Sequence, residues 1–169
     1  MLPECASYLE MLDDLRGQIA KLIAGLPAEA LNWRPIEGED DHITNSLAVM
    51  TAHVAGAEHF WIHEVAGDQP ATRNRPVEFL TEVDSAEPLL ETLKETGLAT
   101  RKVLTMLTAA DLDSVRQAHD RNVPMRWAIL HAIDHTALHL GHMQITYQLW
   151  ARGQTAESPR WFQRLKDDQ

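Results

Sequence analysis

The chain has 169 residues, 44% of them hydrophobic, and a formal charge of −10 with its nine histidines counted neutral. That size suits a single domain spanning residues 1–169 with a core of its own, and the acidic balance argues against nucleic acid and anionic membrane surfaces, both of which need a basic patch. Cys5 is the lone cysteine, Glu4, Glu10, Asp13 and Asp14 stand where a signal peptide would be basic and then apolar, and no window approaches the roughly 18 apolar residues of a membrane span, so a soluble cytoplasmic protein with a small-molecule substrate is expected.

Between Glu4 and Ala24 the residues Leu9, Leu12, Leu15, Ile19, Leu22 and Ile23 repeat with a helical period, and Pro3 and Gly25 bound a first long helix. Leu26 to Pro35, with a proline near each end, reads as a single turn and then extended chain, its Trp33 plugging one end of the core. Glu37 to Asp41 is an exposed acidic loop. A second long helix opens at Thr44, Asn45 or Ser46, runs through Leu47, Val49, Met50, His53, Val54, Phe60 and Trp61, and stops at Gly67. His53 shares a face with Ser46, Met50, Gly56, Ala57 and Phe60, small enough for another helix to approach closely. His59 and His63 fall on the other side and read as solvated.

Residues 68–84, with Gln69-Pro70 and Arg75-Pro76, make a connection long enough to cross a bundle, which lets its flanking helices run parallel. A third helix follows Asp84 and Ser85, tolerates Pro88 in its first turn, and carries Leu89, Leu90, Leu93, Val103, Leu104 and Leu107. Thr108 to Leu112 is placed before the fourth helix as Pro27 to Leu31 is before the second. Taken as a faint internal duplication, this sets His53 opposite His135. No strand-like alternation stands out, so the expected fold is all-α, a four-helix bundle with long connections and its second and third helices parallel.

The fourth helix, from about Pro124 to Gly153, carries His131, His135, His139 and His142 within an arc of roughly 80°. Trp127, Leu138, Ile145 and Leu149 share that face, which suggests burial, and Ile129, Ile133, Leu140 and Tyr147 form a second apolar strip opposite, open to the C-terminal Trp161-Phe162 segment or to another subunit. One histidine on an apolar face is more often a packed, hydrogen-bonded residue than a ligand, but four on one face weaken that explanation. Histidines four residues apart hold their Cβ atoms about 5–6 Å apart, so both rings can converge on one ion. His131/His135 and His135/His139 both satisfy this, and spacing alone does not choose between them. His53 with His135 and His139 makes a candidate set of three neutral nitrogens that leaves a coordination position open, the form suited to activating water or a thiol. Glu58, Glu64 and Asp134 are carboxylates that the helical wheel aims at none of these histidines, so no general base is assigned.

The segment His131-Ala-Ile-Asp-His135-Thr-Ala-Leu-His139-Leu-Gly141, together with Leu31-Asn-Trp-Arg-Pro35 and Asn45-Ser-Leu-Ala-Val-Met-Thr-Ala-His53, resembles the DinB/YfiT-like superfamily of four-helix-bundle metalloenzymes. The resemblance covers nearly the whole chain. It implies a divalent metal, zinc or nickel, held by His53, His135 and His139, with His131 standing behind the ligands; His142 reads as an alternative ligand, a proton carrier at the open position, or a buried residue hydrogen-bonded to another helix, the last being preferred. Leu140 stands where many relatives have arginine. The resemblance further implies a metal-dependent thiol transferase acting on a small electrophile, a homodimer, and a low-molecular-weight thiol as cofactor, which Arg73, Arg75 or Arg126 would anchor. Hydrolysis by metal-activated water and a non-catalytic metal-stabilised binding module are the alternatives.

Overall fold

The computed structural model describes residues 1–36 and 44–154, so the expected acidic loop at Glu37 to Asp41 and the tail with Trp161 and Phe162 lie outside the described residues. Four long rods carry the chain. Helix α1 (Pro3–Ile23) has proline in its first turn and buries Leu9, Leu12, Leu15, Ile19 and Ile23 along one stripe. Gly25, at φ +72°, supplies the left-handed residue that ends it. The one-turn α2 (Ala28–Asn32) follows, and Leu31, fully buried, fills the core there while Trp33 is only half-buried.

The second rod begins as α3 (Leu47–Glu58), where the Ser46 hydroxyl accepts the Val49 N–H at 3.2 Å. It does not continue as an ordinary α-helix to Gly67. Residues His59–Ala66 form a π-helical segment, in which the Gly67 N–H reaches back five residues to the Ile62 carbonyl at 2.9 Å. The connection holds one short helix, α4 (Arg75–Glu78), and leads to α5 (Glu87–Met106), with Pro88 in its first turn as expected. The one-turn α6 (Ala109–Leu112), closed by a capping box between Thr108 and Asp111, matches α2 in placement. Helix α7 (Met125–Trp150) ends the described chain.

One element departs from the all-helical expectation. Strands β1 (Val115–Ala118) and β2 (Arg121–Pro124) form an antiparallel hairpin, with Ala118 paired to Arg121 and His119 in the turn at φ +53°. Four residues per strand, of which only Ala118 and Val123 are buried, are too few and too polar to give a period-two signal.

Side-chain pairings fix the directions of the rods. Glu58 meets Thr100, and a Cβ at Gly67 would lie 2.9 Å from Val103, so the second rod and α5 run the same way. Met1 meets Thr105 while Arg16 lies against Gly97, so α1 opposes α5, and Glu4 meets Arg126 at the starts of α1 and α7, which run together. Helix α7 thus lies antiparallel to the second rod, and its histidines pass His53 from the opposite direction.

Packing of α7 corrects the reading of its two strips. Ile129, Ile133 and Leu140 are buried inside this chain's own core with Ala132, Thr136 and Met143. Trp127, Leu138, Ile145 and Leu149, expected inside, are 47–58% exposed. The histidines occupy the boundary between the strips, because the core side of α7 is the side that meets α1 and α3. His135 and His139 are half-buried there, and His142 is exposed.

Candidate metal centre

His53 projects from the middle of α3 and is 7% exposed. Its Nδ1 lies 2.8 Å from Glu78 Oε2. A carboxylate can only accept, so Nδ1 carries the proton and donates it, which leaves Nε2 as a bare lone pair directed into the bundle. That nitrogen sits 3.2 Å from His135 Nε2. His139 completes the group, its ring 5.0 Å from that of His53 and 4.5 Å from that of His135. One ligand nitrogen from each of His53, His135 and His139 lies within 4.8 Å of the other two. Two nitrogens bound to the same tetrahedral zinc at 2.0–2.1 Å are about 3.4 Å apart. The His53–His135 separation already meets that distance.

Electrostatics keep these imidazoles neutral, as metal ligands must be. Burial, followed by the neighbouring His139, His53 and His131, pushes the His135 pKa down to about 3. Burial, His53 and His142 push His139 down to about 4. His53 is also lowered by burial, against an opposing pull from Glu78. Among the described residues, the buried Nδ1 atoms of His135 and His139 have no hydrogen-bond partner. The fit to an ion rests on the facing Nε2 atoms of His53 and His135, the adjoining His139 and the neutrality of all three rings. The donor set therefore fits a divalent metal.

The crossover connection supplies the support. Glu78, on α4, accepts from Arg73 Nε at 2.6 Å and Arg73 Nη2 at 2.8 Å while receiving His53. Glu64 fixes the start of this loop by accepting the backbone N–H groups of Thr72 (2.6 Å) and Arg73 (2.7 Å), and these bonds hold its carboxyl below the usual range despite burial. Gly56, one turn beyond His53, makes the approach possible: a Cβ there would lie 2.1 Å from Glu78 Oε1. The small residues on the His53 face thus admit a carboxylate from a loop, where the sequence suggested another helix.

A family model described as the DinB superfamily matches residues 11–143. The chain belongs to the DinB superfamily. Among solved structures, this DinB-superfamily chain is similar to a conserved protein from Enterococcus faecalis (17% identity, TM-score 0.66, covering 88% of this chain and 98% of that one). It is also similar to the DinB-like protein YjoA from Bacillus subtilis (20% identity, TM-score 0.65, covering 95% and 98%). At such identities the likeness speaks for the fold. No curated protein matches the sequence.

Of the carboxylates singled out in the DinB-superfamily sequence, none reaches the triad. Glu58 is buried against Arg16 and Thr100, Glu64 holds the loop, and Asp134 is exposed. Glu78 was missed because α4 is a single turn inside a connection and has no periodicity to read. Its only trace in the sequence was the glycine one turn after His53. Among the proposed anchors, Arg126 is tied to Glu4 and Asp113 at the other end of α7, Arg73 is committed to Glu78, and Arg75 lies over the Phe79 ring at 4.9 Å. His59 and His63 stack on each other at 4.6 Å away from the triad. His63 is not simply solvated, since its Nδ1 is buried. No helix among the described residues is long and apolar enough to cross a membrane.

Proposed function

We propose that His53, His135 and His139 hold one divalent ion, zinc or nickel, and that the protein is a metal-dependent transferase joining a low-molecular-weight thiol to a small electrophile. The observation that carries the metal assignment is the orientation of His53. Glu78 accepts the hydrogen bond from His53 Nδ1–H, so Nε2 faces His135 as a lone pair at 3.2 Å. A carboxylate behind a ligating histidine fixes its tautomer and raises its basicity. When bound, the ion would supply Lewis acidity that lowers the pKa of a thiol or of water brought to it. The protein's own part is to keep three imidazoles neutral, to hold His53 through Glu78 and Arg73, and to leave the half-buried side of His135 and His139 open to a reactant.

The motif resemblance supports the transferase half of this reading. Hydrolysis is the second reading, favoured by one observation: Arg73 and Arg126 are both neutralised by carboxylates, which leaves Arg75 as the available anchor for an acidic thiol. The acidic surface favours a small-molecule substrate over nucleic acid or membrane, in keeping with a cytoplasmic setting. Homodimerisation belongs to the same proposal, resting now on exposed Leu138, Ile145 and Leu149. Sedimentation at micromolar concentration would give twice the chain mass of 19.1 kDa, and a monomer mass would remove the dimer.

Elemental analysis of protein purified without a metal-affinity tag tests the metal. One zinc or nickel per chain is expected, and an empty site after equilibration with either ion would refute the assignment. Calorimetric titration of bacillithiol, mycothiol and glutathione into the metal-loaded protein tests the transferase. Absence of binding at millimolar concentration would eliminate it and leave hydrolysis or a ligand-binding role.

A further inference from the structure

The histidine stripe continues past the triad as a row of rings that ligation does not require. His131 lies parallel to Trp127, with centroids 4.8 Å apart and an interplanar angle of 6°. Trp61, from the π-helical segment, stands across both, at 78° to Trp127 (5.4 Å) and 82° to His131 (4.9 Å). Buried Phe60 packs against Trp61 at 4.9 Å. The row joins the candidate ligands at His135, 5.9 Å from His131.

This arrangement fixes the plane of the Trp127 indole without covering it. Among the described residues Trp127 has ring contacts with His131 and Trp61 alone, no protein acceptor for its N–H, and 47% exposure. Indole is among the largest apolar groups a chain can bury, and one held rigid yet open beside a donor set is a surface ready to stack. Leu130, also half exposed, extends the surface. We propose that Trp127 is the platform for a planar, unsaturated part of the substrate, with the rest of the molecule reaching along His131 toward His135. The occupant is therefore an aromatic or conjugated small molecule with a donor group at one end, set off from its ring by roughly the reach of two ring steps. The direction of the bound molecule rests on the metal assignment of the triad, whereas the stacking does not.

The test compares 2-naphthoate with its saturated counterpart, decahydro-2-naphthoate, by calorimetric titration into the full chain, zinc-loaded and chelator-treated. Stacking should favour naphthoate by roughly three- to tenfold in both states. Trp127→Ala should abolish that preference and Trp127→Phe should retain most of it. A preference below twofold, or one unchanged in Trp127→Ala, would overturn the proposal. So would a Trp127→Ala protein that sediments at half the wild-type mass, since the indole face would then be an interface between copies. If zinc strengthens both acids equally without any preference, the metal assignment stands and the platform falls. A preference that persists in the chelator-treated protein supports the platform independently of the metal assignment, because the naphthoate carboxylate sits on the ring and does not span the two ring steps from Trp127 to His135.

Discussion

Replacing Gly56 with alanine probes whether Glu78 sets the candidate metal centre. The new Cβ would lie 2.1 Å from Glu78 Oε1 and 2.7 Å from its Cδ. Carbon–oxygen contacts settle near 3.3–3.6 Å, so the carboxylate must retreat by roughly 1.2–1.5 Å. The His53–Glu78 hydrogen bond is 2.8 Å long, and a bond stretched past about 3.5 Å no longer counts as one. Losing a hydrogen bond to a charged partner costs about 1.5–3 kcal/mol. Alanine's better helix propensity returns about 1 kcal/mol, so the metal-free protein should be destabilised by only about 0.5–2 kcal/mol. The effect on metal should be larger, because the partner that fixes a ligand's tautomer is typically worth 10- to 100-fold in affinity. Zinc titration against a competing chelator should show at least a tenfold loss for Gly56→Ala and a comparable loss for Glu78→Gln, with helical content unchanged. A folded Gly56→Ala protein that binds zinc within twofold of wild type would refute the role given to Glu78.

Alanine at His53, His135 or His139 should abolish stoichiometric zinc binding, whereas alanine at His59, His63 or exposed His142 should leave one ion per chain by elemental analysis. Full occupancy in His135→Ala would refute the donor set. Between about pH 6.5, where an unfolded histidine titrates, and the lowered values of about 4 and 3 for His139 and His135, the unfolded chain binds more protons than the folded one. Metal-free stability should therefore fall as pH drops from 6.5, by at most about 1.4 kcal/mol per pH unit for each histidine. Urea unfolding in chelator at several pH values would show it, and His135→Gln should flatten the slope. Arg16→Ala leaves buried Glu58 without its cation and should cost about 3–5 kcal/mol in urea unfolding while zinc stoichiometry is unchanged.

What could be read in the sequence follows from how local each signal is. The stripes of α1 and α5, the Ser46 cap and Pro88 are statements about neighbouring residues, and the structure repeats them. The pairing of His53 with His135 was legible in the motif resemblance and in the matching places of α2 and α6, a weak regularity that the fold realises at 3.2 Å. The wheel of α7 misled where it had to guess which apolar strip faces inward. Both strips are equally apolar, and the choice lies with α1 and α3, not with α7 itself. Glu78 and the hairpin were illegible for a shared reason. A four-residue element contains no full period, so its side chains acquire a direction only from what they touch.

The π-helical turn between His59 and Ala66 separates two jobs carried by one rod. Bonding five residues back advances each residue by less than the 100° of an α-helix, so roughly a third of a turn of phase accumulates across the segment. The upstream half points His53 at α7. The downstream half points Trp61 at the ring row and Glu64 at the loop. Shortening the segment by one residue would swing Trp61 and Glu64 around the axis while His53 stayed in place. The rod thus lets what lies beside the histidines be reshaped without rebuilding the donors themselves.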